Sequence, residues 1–213
     1  ELPSAMAADL DALEAHLRKA QQAEQRRLKR RLGSPSTKTL LQAWRALLEA
    51  PIPSEELGDL STLPVEQLAS QRIWRMYKRA LKAGRLIRAD GPPEALHDLR
   101  KDCKKLRYLI EFFRGLYPAK TVKQTLRVLK DLLDILGRFQ DREQQAEWLR
   151  EVSAEFDRSD PQGLRSLMAI GALVANLLRD QQLAREQFAD CFARFEAADN
   201  RKLYQTLCQG RGA

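Results

Sequence analysis

Apolar residues recur at helical spacing along most of the chain, and no stretch alternates apolar and polar residues as a strand would. The spacing predicts a long helix over 5–32 (Leu10, Leu13, Leu17, Ala20, Leu28) and a shorter one over 36–50 (Leu40, Leu41, Trp44, Leu47, Leu48). Gly33-Ser34-Pro35 separates the two, and Pro51 and Pro53 end the second before a polar connector over 51–63. A third helix is expected over 64–88, with Pro64 in its first turn and Ile73, Trp74, Met76, Tyr77, Ala80 and Leu81 inside. After Gly91-Pro92-Pro93 comes a helix over 94–116, ended by Tyr117-Pro118. Leu126, Leu129, Leu132, Leu133 and Leu136 then mark a segment that Gly137 is expected to pinch, with the pattern resuming through Trp148 and Phe156. Beyond Ser159-Asp160-Pro161, residues 162–208 read as one long helix or two, bent near Ala198-Asp199-Asn200. The expected fold class is all-α: an antiparallel bundle of long helices, arranged as two packed bundles over 1–90 and 91–213 of one domain, 1–213.

The stretch 94–113 organises the rest. On a helix, Leu96, Leu99, Cys103, Leu106, Leu109, Ile110 and Phe113 fill one face. His97, Arg100, Lys101, Lys104, Tyr108 and Glu111 share the opposite one, flanked by Lys105 and Arg107. Cations this close repel one another unless water or an anion covers them. The preceding helix carries a second basic face: Arg72, Arg75, Lys78, Arg79, Lys82 and Arg85. A link as short as Gly91-Pro92-Pro93 makes the two helices antiparallel neighbours, and their basic faces are expected to form one surface. An isolated basic face is usually only solvated; two in succession, poor in carboxylates, point to an anion. The basic end of the first helix (Arg26, Arg27, Lys29, Arg30, Arg31) suits the helix dipole equally well, so it discriminates less.

His97-x-x-Arg100-Lys101-x-x-Lys104-Lys105-Leu106-Arg107-Tyr108-x-x-Glu111-Phe112-Phe113 resembles the signature of the CHAD family, the conserved histidine α-helical domain. Leu136-Gly137-Arg138-Phe139-Gln140-Asp141 resembles the family's Leu-Gly-x-x-x-Asp turn. The resemblance implies helical bundles that bind inorganic polyphosphate in a basic cavity. Such domains usually carry two histidine motifs facing each other, and only one is present, since His16-Leu17-Arg18-Lys19 lacks the spacing. The resemblance therefore places the other motif helix upstream of Glu1, in a longer protein. Some members also carry an upstream CYTH triphosphatase domain, which would make the whole protein an enzyme although this part is not.

Charge agrees with an anionic partner: 37 Lys+Arg against 29 Asp+Glu leave +8 over 213 residues. Inorganic polyphosphate or another polyanion is the expected ligand, with nucleic acid able to bind at low salt. Cys103, Cys191 and Cys208 lack paired spacing and read as reduced thiols of a cytoplasmic protein. No secretory leader is visible, and the apolar run Leu167–Leu178, interrupted by Gly171 and Asn176, is too short for a bilayer. No membrane partner is expected.

For the chemistry, Arg100 can bridge two phosphate oxygens with its fork, while Lys101, Lys104 and Lys105 act as point charges. Tyr108 can donate its hydroxyl or pack on a neighbouring helix, and Glu111 is assigned to orienting Arg107 one turn back. His97 is either a packing histidine near a helix start or a phosphate donor; its cationic neighbours favour the second role. His16 is expected to be structural or exposed. The sequence offers no metal-ligand set, no carboxylate pair and no nucleophile–base set, so no cofactor, metal or catalytic residue is assigned. A binding module is expected. A nucleic-acid binder is the main alternative, and a histidine phospho-acceptor module is the other, although the Lys-Gly that usually follows a relay histidine is absent.

Overall fold

The computed structural model describes residues 6, 8–51 and 62–209, and among them the chain forms seven α-helices, most of them separated at proline or glycine. They are α1 Asp11–Leu32, α2 Pro35–Glu49, α3 Val65–Arg85, α4 Pro93–Phe112, α5 Ala119–Ser153, α6 Pro161–Glu196 and α7 Ala198–Gln209. The expected all-α class is observed: among the described residues there are helices and turns only. The start of the first helix at residue 5, Pro53 and most of the 51–63 connector lie outside the described residues.

The boundaries have local causes. Ser34 accepts a hydrogen bond from the Thr37 amide, and Pro35 follows it in the first turn of α2. Asp160 accepts from the Gly163 amide at 3.0 Å and caps α6. The bend expected near residue 198 is a break at Ala197, where the buried Asn200 side chain turns back to donate to the Phe195 carbonyl. One expectation fails. Gly137 does not pinch its helix: α5 is unbroken from Ala119 to Ser153, so the stretch 136–141 is helix rather than turn. A single glycine costs a helix about 1 kcal/mol relative to alanine. Leu132, Leu133, Leu136 and Phe139, all buried around it, outweigh that cost.

The chain forms two compact units. One takes the described residues of Glu1–Ser61 with Glu151–Leu173, and the other those of Thr62–Arg150 with Val174–Ala213. In the first, α1 packs lightly on α2, and His16 Nδ1 approaches Glu155 Oε2 at 3.5 Å. Leu40, Leu41, Trp44, Leu47 and Leu48 of α2 remain exposed. The second unit holds the main core. Leu96, Leu99, Cys103, Leu106 and Ile110 bury the oily side of α4 against Ile73, Tyr77 and Ala80 of α3, the leucines of α5, and Phe188, Phe192 and Phe195 of α6. The Tyr77 and Tyr204 rings stack at 3.8 Å, with Phe195 edge-on to both. Gly84 is where α3 meets α6: a Cβ there would stand 2.0 Å from the Phe192 ring. Arg185 of α6 donates to the carbonyls of Ala89 and Gly91, fixing the turn from which α4 starts.

Candidate functional site

Burying the oily side of α4 settles where its other side goes. Arg100, Lys104 and Arg107 recur at helical spacing, so they form one wall of a cleft of about 420 Å³. The second wall is α5, whose Asp134, Gly137, Arg138, Asp141, Arg142 and Gln145 repeat on one stripe, with Leu133 beneath. The cleft thus gathers five cations and two carboxylates.

Three of the cations have polar neighbours that orient them. Arg142 is the most fixed: its Nε donates to Asp180 Oδ2 of α6 at 2.7 Å, and its Nη1 to Gln145 at 2.8 Å. Arg107 Nε lies 3.1 Å from Glu111 Oε1, the pairing expected from the sequence. Arg100 Nη2 lies 3.6 Å from Asp141 Oδ1, a distance for Coulombic attraction rather than a hydrogen bond. Just N-terminal to the cleft wall, His97 is half-buried with its ring 6.0 Å from Phe139, and its Nε2 comes within 2.7 Å of Glu143 Oε2. That approach is off the hydrogen-bonding axis, as is Glu111 on Arg107. His97 Nε2, Arg100 Nε and Arg107 Nε are therefore buried nitrogens without an aligned hydrogen-bond partner in the protein. Buried donors in this condition are uncommon, and each gains from an acceptor brought to it.

The other residues singled out in the sequence lie elsewhere. Lys101 is exposed and bonds Asp98 on its own helix at 3.0 Å, which holds the Asp98 carboxyl below its ordinary range. Lys105 and Tyr108 are exposed and do not line the cleft, although the Tyr108 ring lies under Arg107. The six α3 cations do not line it either. Arg79 pairs with Asp102 at 2.7 Å, Arg85 with Glu196 at 2.9 Å, and Lys78 sits over Trp74; Arg72, Arg75 and Lys82 are exposed. Asp102 lies about 140–160° round α4 from Arg100 and Arg107. The third and fourth helices do pack on each other, but through this other edge, so the expected joint wall does not form along the cleft.

Sequence reasoning missed the whole α5 wall: Asp134, Arg138, Asp141, Arg142 and Gln145, together with Glu143 opposite His97. A signal was present. Polar residues repeat every three or four positions down one side of a leucine-rich helix, with a glycine among them. Among the described residues, no group of three or more His, Cys, Asp or Glu is placed to hold a metal ion, and no helix is long and apolar enough to cross a membrane.

A family model described as the CHAD domain matches residues 1–150, which include both walls of the cleft. A search of curated proteins finds no significant match to the chain.

Proposed function

The chain belongs to the CHAD domain family, and from that premise we propose that it binds inorganic polyphosphate in the cleft between α4 and α5, as a binding module without a catalytic step. The observation that carries this reading is the convergence of Arg100, Lys104, Arg107, Arg138 and Arg142 on one cleft, beside buried nitrogens that lack hydrogen-bond partners. Guanidinium forks match the oxygens of successive phosphates, and Lys104 adds a point charge. His97 stands at the end of the row as a further donor. In this reading residues 1–213 are one CHAD-like helical domain. Lys105, Arg72, Arg75, Lys78 and Lys82 lie outside the cleft and add long-range positive potential that attracts a polyanion, while Lys101, Arg79 and Arg85 are paired with Asp98, Asp102 and Glu196 and Tyr108 is uncharged. The unpaired Cys103, Cys191 and Cys208 agree with a cytoplasmic setting.

Titration with long-chain polyphosphate and with duplex DNA, each at several salt concentrations, tests the reading. Polyphosphate is flexible enough to enter a cleft that a stiff duplex cannot, so it should bind more tightly and keep binding at physiological salt. Equal affinities with equal salt slopes would reduce the site to generic electrostatics and favour nucleic acid. Release of phosphate abolished by His97→Ala, or stable phosphohistidine at His97, would move the function to catalysis or to a phosphorelay.

A further inference from the structure

Arg142 is the cleft arginine with the best-defined bonds, and one of the residues that define them lies outside the cleft. Its Nε donates to Asp180 Oδ2 at 2.7 Å and its Nη1 to Gln145 Oε1 at 2.8 Å. These bonds use two of the five N–H groups of the guanidinium and leave both groups on Nη2 for a ligand. Asp180 belongs to α6, beyond the residues 1–150 that the family model matches, and does not line the cleft. Stability does not account for the pair, because both side chains are more than one-third exposed and an ion pair so placed adds little. Charge does not account for it either, since a carboxylate beside an anion site offsets part of the arginine's attraction.

We propose that Asp180 is a positioning residue, which holds the Arg142 guanidinium in place so that a phosphate chain meets a fork already ordered. The proposal rests on the reading of this cleft as a polyphosphate site. An unrestrained arginine samples many rotamers, and an anion that binds it must stop that motion at a cost in affinity. Here the folded chain has stopped it beforehand. A bond at Nε and a second at Nη1, one from α6 and one from α5, fix the plane of the fork as well as its place. Two contributions therefore oppose each other at Asp180: its charge weakens anion binding, and its hold on Arg142 strengthens it. Two exchanges at this one position separate them.

The test uses the full chain carrying Asp180→Ala, Asp180→Asn, Arg142→Ala or both alanine exchanges, each with its urea midpoint recorded. Affinity for long-chain polyphosphate is measured at physiological salt. Alanine removes the charge and the hold together, and affinity should fall by about threefold to tenfold although a negative charge has gone. Asparagine keeps an oxygen that accepts from Nε and removes only the charge, so it should restore affinity to at least that of the unsubstituted chain. In the Arg142→Ala background, Asp180→Ala should weaken binding no further, because no guanidinium is left to aim. A merely structural Asp180 would instead weaken binding alike with and without Arg142. Affinity that holds or rises with Asp180→Ala, that stays as low with asparagine as with alanine, or that falls equally in both backgrounds overturns the proposal and leaves the reading intact. Failure of the unsubstituted chain to bind polyphosphate at physiological salt overturns the reading, and the proposal with it.

Discussion

Gly137 faces the guanidinium of Arg100: a Cβ built on it would stand 3.4 Å from Nη2 and 3.6 Å from Nε. The glycine leaves the room in which that side chain lies. Gly137→Ala should therefore act on one property and spare the other. Removing a mid-helix glycine should stabilise the fold by about 0.5–1 kcal/mol. The added methyl would meet the Arg100 guanidinium at ordinary van der Waals distance and should leave polyphosphate affinity within a factor of about two. Gly137→Leu, which fills the cleft, should abolish binding. Urea denaturation and a binding titration on the same preparations separate the two effects.

Removing a cleft cation should cost more than removing an α3 cation. Arg107→Ala or Arg138→Ala should weaken polyphosphate binding by about tenfold or more. Each should also lower the slope of log affinity against log salt by roughly one unit. Arg75→Ala, an exposed change outside the cleft, should leave affinity within a factor of about two. A larger loss at Arg75 would return the α3 face to the binding surface.

Arg79 and Asp102 should matter for stability instead. Asp102 is buried and Arg79 is its 2.7 Å partner across the α3–α4 contact. Arg79→Ala leaves that carboxylate without its cation and should destabilise the chain by about 1–3 kcal/mol. Polyphosphate affinity should change little. Chemical denaturation reads the first effect, and a titration at constant salt checks the second.

Alkaline pH should loosen the second unit. Burial pushes the thiols of Cys103 and Cys208 up from the ordinary value of 9.0 to about 12, and the Tyr77 hydroxyl to about 12. The folded chain thus holds these protons more tightly than the unfolded one. Their contribution is complete below about pH 9 and is lost progressively as pH rises towards 12. The urea midpoint should be flat between about pH 7 and 8.5 and fall beyond pH 9. A midpoint that rises above pH 9 would contradict this assignment.

What could be read from the sequence was mostly what one helix decides by itself. The buried side of α4 follows from the spacing of Leu96, Leu99, Cys103, Leu106 and Ile110, and the Arg107–Glu111 pair from a separation of one turn. Whatever depends on two helices was harder to read. Arg138 and Arg142 belong to the site because α5 faces α4, and no local pattern states that. The α3 cations looked equivalent to those of α4 because periodicity marks a polar face without saying what it meets. Asp102 is the buried link that turns Arg79 to the other edge. The α2 leucines have the same property in reverse: their spacing defines an apolar face, and the face is exposed. Gly137 was noticed for the wrong reason, as a flaw in its helix rather than as space for a neighbour.

On the proposed reading, gathering Arg100, Lys104, Arg107, Arg138 and Arg142 into one cleft would also join ligand supply to the lifetime of the protein. Like charges held close together strain the folded chain, and an anion that neutralises them relieves that strain only in the folded form. Free polyphosphate at a hundred times its dissociation constant would add about 2.7 kcal/mol to folding. That is enough to raise the melting temperature by several degrees and to slow proteolysis that proceeds through unfolding. A cell rich in polyphosphate would then accumulate this chain without making more of it, and a cell that exhausts its reserve would clear it.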